Sequence, residues 1–118
     1  EIDLFTGITV TRYKDRMGFS CLDKDTILNV RYMLNDIVLP KHLGFLESIL
    51  EKSSSGWLAD GDKPSIADFC YVPRLKWLIE PGLHDGIDSQ LLTSFPLIQK
   101  LIEKFDNLPE VVEYYRTH

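Results

Sequence analysis

Few side chains in this 118-residue sequence have the types and spacing that chemistry needs. His42, His84 and His118 are far apart, with no His-x-x-x-His pair and no cysteine pair beside them, so no metal site is expected. Cys21 and Cys70 form no Cys-x-x-Cys motif and read as free thiols of a reducing compartment. Cys21, between Ser20 and Leu22 in an expected loop, is the thiol open to reaction; Cys70 falls in an apolar stretch and is expected in the core. Asp60-Gly61-Asp62 starts like a calcium loop but lacks the third acid and the distal glutamate, which leaves a turn. No glycine-rich phosphate loop or Gly-x-Ser-x-Gly elbow occurs. Two constellations remain. Asp3, Thr6, Val10 and Tyr13 fall at i, i+3, i+7 and i+10, so a helix there offers a carboxylate and a phenol to one cleft. Ser65 and Asp68 stand three positions apart at the head of an apolar run, the pattern of a capping box.

These residues need helices to position them. In the capping box, Ser65 accepts the backbone N–H of Asp68, and Asp68 reaches back to the N–H of Ser65. Its negative charge also suits the positive end of a helix. The helix expected over 66–79 is apolar nearly all round, through Phe69, Cys70, Tyr71, Val72, Leu75, Trp77 and Leu78. That pattern predicts the buried centre of a bundle, bent at Pro73 and stopped by Pro81-Gly82. Trp57, Phe69, Tyr71 and Trp77 are accordingly expected in the core.

Upstream, Asp23 or Asp25 caps a long helix reaching Lys52. Its apolar side runs through Ile27, Val30, Met33 or Leu34, Ile37 or Val38, Leu43, Leu46, Ile49 and Leu50. Pro40 removes one donor and crowds the carbonyl of Asp36, which predicts a kink. Ser53-Ser54-Ser55-Gly56 ends this helix, and Trp57-Leu58-Ala59 forms a short apolar plug. Downstream, Asp88 or Ser89 caps a short turn through Leu92. Ser94 caps a helix with Pro96 in its first turn and a stripe of Leu97, Ile98, Leu101, Ile102 and Phe105. Asn107-Leu108-Pro109 breaks it and starts a last helix, with Val111, Val112 and Tyr115 turned inward. The first segment is double-natured: Ile8 to Tyr13 alternates like a strand, yet Leu4, Phe5, Ile8 and Arg12 share one helical face. A lone strand among helices has nothing to pair with, so helix is expected, followed by an extended connection from Arg12 to Lys24.

The fold class that results is all-α in one domain. With 44% hydrophobic and 26% charged residues the composition is that of an ordinary globular protein, long enough to bury roughly two thirds of its unfolded surface. Thirteen basic against eighteen acidic residues give −5, which argues against nucleic acid or an anionic membrane as partner. No apolar run approaches the ~20 residues of a membrane span. No signal peptide or glycosylation sequon is visible, so cytoplasm is expected. The first residue is Glu rather than Met, which suggests a piece of something longer.

The stretch Gly56-Trp57-Leu58-Ala59-Asp60-Gly61-Asp62-Lys63-Pro64-Ser65-Ile66-Ala67-Asp68-Phe69 resembles the hallmark of glutathione transferase C-terminal domains. So do Leu39-Pro40 to Glu47, Phe95-Pro96-Leu97 and Leu108-Pro109-Glu110-Val111, in the right order and over nearly the whole chain. The likeness is closest to the sigma, mu and pi types. It implies an orthogonal bundle of five or six helices over residues 1–118. It also implies a thioredoxin-like N-terminal domain, outside this chain, that binds glutathione and ionises its thiol. The parent enzyme would transfer glutathione to small electrophiles. Its helical part would supply the wall of the co-substrate pocket and part of a homodimer contact, without activity of its own. By resemblance Asp3 reaches glutathione across the dimer, with Asp15 a rival acid, and Thr6, Thr9, Val10 and Tyr13 line the co-substrate pocket. None of these residues carries the catalysis, glutathione is a substrate, and no cofactor is implied. Detoxification in the cytoplasm is the expected setting. Relatives that reduce peroxides or isomerise share the frame. A different class also fits: a non-catalytic interaction module, like the transferase-like domains of translation elongation factors and aminoacyl-tRNA synthetases.

Overall fold

Apolar residues recur every three or four positions from Ile27 onward, and no glycine interrupts before Gly44. The chain is accordingly helical from Lys24 to Lys52 in the computed structural model, which describes residues 24–118. Helix α1 (Lys24–Met33) passes through a π-helical turn (Leu34–Val38) into α2 (Leu39–Lys52). The backbone N–H of Leu39 donates to the carbonyl of Leu34, five residues back. Pro40 supplies the reason: its ring crowds the carbonyl four residues earlier and offers it no N–H, and a widened turn makes room. The expected kink is thus a π turn. It also sets the register. Leu34 and Leu39 are both buried although five apart, followed by Leu43 and Leu50. Met33 and Ile37 are exposed, and so are Val30 and Ile49.

The later elements are α3 (Ile66–Leu78), a 3-10 turn (Leu91–Ser94), α4 (Pro96–Asp106) and α5 (Pro109–Thr117). The regular structure of the described residues is all helical, with no strand among them. These residues hold four helical runs, against the five or six expected over the whole chain. The expected helix at the start of the sequence and the connection after it lie outside the described residues.

Contacts divide the chain into two units. The first joins, among the described residues, 24–42 with 78–91. There Arg31 Nη1 donates to the carbonyl of Asp85 at 3.5 Å, and the N–H of Asp88 to Asn35 Oδ1 at 2.7 Å. Gly86, at φ +92°, sits so close to α1 that a Cβ would lie 3.0 Å from that of Arg31 and 3.2 Å from Leu28 Cδ1. The short turn expected from Asp88 starts later, at Leu91. The Asp88 side chain instead accepts the N–H of Gln90 at 2.8 Å.

The second unit comprises Leu43–Trp77 and Leu92–His118. Its buried side chains include Trp57, Val72, Leu75, Ile98, Leu101, Phe105 and Val111. Each such burial is worth about 1.5–3 kcal/mol. Phe69 meets Phe105 edge-on at 5.0 Å. Lys76 pairs with both oxygens of Asp106 at 2.8 and 3.0 Å and lies 5.5 Å from the centre of the Tyr115 ring.

Three expectations about burial need correction. Helix α3 is not buried all round: Asp68, Val72, Leu75 and Leu78 are buried, while Ile66 is 81% exposed, Phe69 49%, Tyr71 41% and Trp77 40%. Cys70 is exposed as well, not a core thiol. The buried positions follow i, i+4, i+7 and i+10, a single strip. A perimeter apolar on every side fixes no orientation by itself, and one strip is what the rest of the chain covers. In α5 only Val111 is buried; Val112 and Tyr115 are exposed. Its aromatic end packs on itself instead, with Tyr114 edge-on to Tyr115 and stacked on His118.

Candidate functional site

The segment from Ser53 to Asp68 is where the most polar groups converge. Lys52 closes α2, and Gly56 follows with φ +82°, a left-handed conformation that costs glycine little. The three serines then wrap one carboxylate. Asp60 Oδ1 accepts the N–H of Ser54 at 2.8 Å, the N–H of Ser55 at 3.0 Å and the Ser54 hydroxyl at 3.0 Å. The Ser53 hydroxyl lies 3.2 Å from the same oxygen and 2.7 Å from the carbonyl of Trp57. Asp60 itself has φ +52°, which aspartate tolerates better than most residues. The N–H of Ser55 and the hydroxyl of Ser54 hold its carboxyl down to about 2 from the usual 3.8.

Eight residues on, Asp68 is fully buried. Its Oδ2 accepts the N–H of Ser65 at 2.8 Å, and its Oδ1 accepts the N–H of Leu58, in the apolar plug, at 3.0 Å. One carboxylate therefore closes the helix start and ties the Trp57-Leu58 plug to it. The serine half differs from the expectation. The Ser65 hydroxyl accepts from Ala67 at 3.2 Å, one residue before Asp68, and donates towards Asp68 Oδ2 at 3.3 Å. The N–H of Asp68 goes to the Ser65 carbonyl at 3.0 Å.

The start of α4 is held from elsewhere. Phe95 is its N-cap residue and makes no side-chain bond, so the expected cap by Ser94 is not there. Glu47, from α2, accepts the N–H of Leu97 at 2.8 Å on one oxygen and that of Ile98 at 3.0 Å on the other. A carboxylate there suits both the unpaired N–H groups and the positive end of the helix. Local sequence carries no signal for it. Lys104, about two turns further on, donates to the carbonyl of Ser55 and places its ammonium 4.2 Å from the centre of the Trp57 ring.

In the first unit His84 is buried. Burial, and then the charge of Arg31, lower its pKa, while Asp85 raises it. Its folded pKa lies below the unfolded value of 6.5, so its share of stability is complete above that pH and is lost as pH falls.

The residues singled out for glutathione and co-substrate, Asp3, Thr6, Thr9, Val10 and Tyr13, lie outside the described residues, as do the rival Asp15 and the candidate reactive thiol Cys21. Among the described residues no group of three or more His, Cys, Asp or Glu side chains could hold a metal ion. No described helix is long and apolar enough to cross a membrane.

Among the described residues, then, all regular structure is helical, and α3 is launched by a buried aspartate tied to an apolar plug. The sequence matches the family model for the glutathione S-transferase C-terminal domain over residues 22–118, and the chain belongs to that family. Neither a curated protein nor a solved structure gives a significant match.

Proposed function

We propose that this chain is the helical part of a glutathione transferase of the sigma, mu and pi kind, a cytoplasmic homodimer that conjugates glutathione to small electrophiles in detoxification. The single observation that carries this reading is the family match over residues 22–118. A thioredoxin-like domain preceding the chain would bind glutathione and lower the pKa of its thiol, so that thiolate is present near neutrality. The helical part would hold the electrophile close to that thiolate. Asp3 would contact glutathione across the dimer, Thr6, Thr9, Val10 and Tyr13 would line the electrophile's pocket, and glutathione would be substrate with no further cofactor. The uncovered apolar positions support a part that works in company. Val30, Met33 and Ile37 recur at i, i+3 and i+7 on the outside of the first helical run and suit a contact between copies, while the exposed perimeter of α3 suits further cover.

The test is conjugation of glutathione to a generic aromatic halide by the full-length parent. Turnover there, with none from residues 1–118 alone, is the expected result. A parent that neither turns over nor binds glutathione by calorimetry would be a non-catalytic interaction module instead. Asp3→Ala in an active parent should weaken glutathione binding, and unaltered affinity removes Asp3 from the site. Tyr13→Phe should slow reaction with epoxides while glutathione affinity stays, and an unchanged epoxide rate removes Tyr13.

A further inference from the structure

Away from the first segment, the second unit contains a cleft of about 280 Å³ lined by the end of α2 (Leu50), the serine loop through Gly56, and α4 from Leu97 to Lys104. Leu50 and Leu101 are buried and give it an apolar floor. Lys100 and Lys104 both line it, four residues apart on one face of α4. Like charges at that spacing disfavour the bare helix, a cost that an anion between them reverses.

We propose that this cleft binds a small anionic amphiphile, a phosphate or carboxylate on a short apolar body, with the charge against Lys100 and Lys104 and the body on Leu50 and Leu101. Lys104 is already positioned. Its ammonium is bonded to the Ser55 carbonyl and seated over the Trp57 ring, so less side-chain freedom is lost on binding. The loop brings no competing donors to the ligand. The N–H groups of Ser54 and Ser55 go to Asp60, that of Gly56 to the Ser53 hydroxyl, and that of Trp57 to the Ser55 hydroxyl. Recognition therefore rests on charge and apolar contact, not on a fixed hydrogen-bond pattern. The volume falls just below the roughly 300–1,000 Å³ of sites for drug-sized ligands, so the body is no larger than a single ring or a short chain. The proposal involves neither glutathione nor the first segment, and it stands or falls separately from the transferase reading.

The probes are phenyl phosphate, benzoate, benzyl alcohol and inorganic phosphate, titrated into the chain while backbone amide and indole resonances are followed by NMR. Phenyl phosphate, close to a dianion at pH 7, should perturb Ser54–Trp57 and Lys100–Lys104 saturably and bind tighter than benzoate. Benzyl alcohol and inorganic phosphate, each lacking one half of the amphiphile, should bind weakest. Raising salt from ~20 to ~300 mM should weaken phenyl phosphate several-fold, because open charges are screened. Lys100→Glu, at an exposed position, should reduce its affinity by about tenfold or more while the fold, read by the unperturbed amides, stays intact. Benzyl alcohol binding as tightly as phenyl phosphate, a Lys100→Glu protein with undiminished affinity, or perturbations mapping elsewhere would each overturn the assignment. Inorganic phosphate matching phenyl phosphate would remove the apolar floor from it.

Discussion

Helices α3 and α4 meet the same problem at their first turns, N–H groups with no partner inside the helix, and meet it differently. Helix α3 draws its partners from its own neighbourhood. Ser65 and Asp68 lie in the four-residue start of the helix, and Asp68 reaches only as far as Leu58. Helix α4 draws its partner from a residue fifty positions earlier, with both oxygens of Glu47 on the N–H groups of Leu97 and Ile98. A local clasp can form before the rest of the chain is in place, because it needs little loop closure. A carboxylate brought from α2 forms only when α2 and α4 are already together. The comparison separates a device that starts a helix from one that reports its docking.

The largest effect is expected at the local clasp. Asp68→Ala leaves the N–H groups of Ser65 and Leu58 without their acceptor and opens a space at a fully buried position. Two lost bonds to a charged group cost about 3–5 kcal/mol together. Urea unfolding followed by circular dichroism measures it, and a loss under about 1 kcal/mol would mean that the clasp is ornamental. Glu47→Ala should come next, at about 2–3 kcal/mol, since two charge-assisted bonds go but the half-buried site admits water. Glu47→Gln should recover part of it, because an amide offers a single acceptor oxygen. Were Glu47→Ala more damaging than Asp68→Ala, the contrast between the two helix starts would be reversed.

How far these features were legible follows from the same contrast. The Ser65-x-x-Asp68 spacing announced the start of α3, that spacing together with the Trp57-Leu58 plug and both proline blocks pointed to the family, and Pro96 and Pro109 announced α4 and α5. The kink expected at Pro40 takes the form of a π turn in an unbroken helical run, and that form decided which of Met33 and Leu34 is buried, which spacing alone left open. Glu47 was invisible because its role depends on tertiary approach. The exposure of Phe69, Tyr71 and Trp77 was invisible for a related reason. A hydrophobic perimeter says that a surface prefers cover, not that this chain supplies it. Of the candidate glutathione and electrophile residues, all fall in the first segment, outside the described residues.

Ser65→Ala should be milder, at about 1 kcal/mol, since its hydroxyl holds one N–H while Asp68 keeps the rest. Asp60→Asn should cost less again, because its carboxylate is open to water. Its signature is in the pH dependence. A carboxyl held at about 2 when folded and near 3.8 when unfolded lends stability that is whole above pH ~4 and is lost as pH falls towards 2. Thermal melts from pH ~6 to ~2 should therefore show a shallower acid limb in Asp60→Asn, and an identical limb would detach Asp60 from the serine loop.

The smallest effect sharpens the comparison most. Ser94 stands where a local cap for α4 would be sought, two residues before Pro96, and its replacement by alanine would ordinarily cost about 1 kcal/mol if it capped the helix. The N-cap residue is Phe95, which makes no side-chain bond, and the free N–H groups of Leu97 and Ile98 already belong to Glu47. Ser94→Ala should therefore change stability by no more than about 0.5 kcal/mol, the range of an ordinary surface substitution. The double variant with Glu47→Ala should show no more than the sum, since the two side chains share no partner. A Ser94→Ala loss near 1 kcal/mol that vanishes once Glu47 is removed would mean that serine and glutamate hold the same helix start together, and that α4 is partly capped from its own sequence after all.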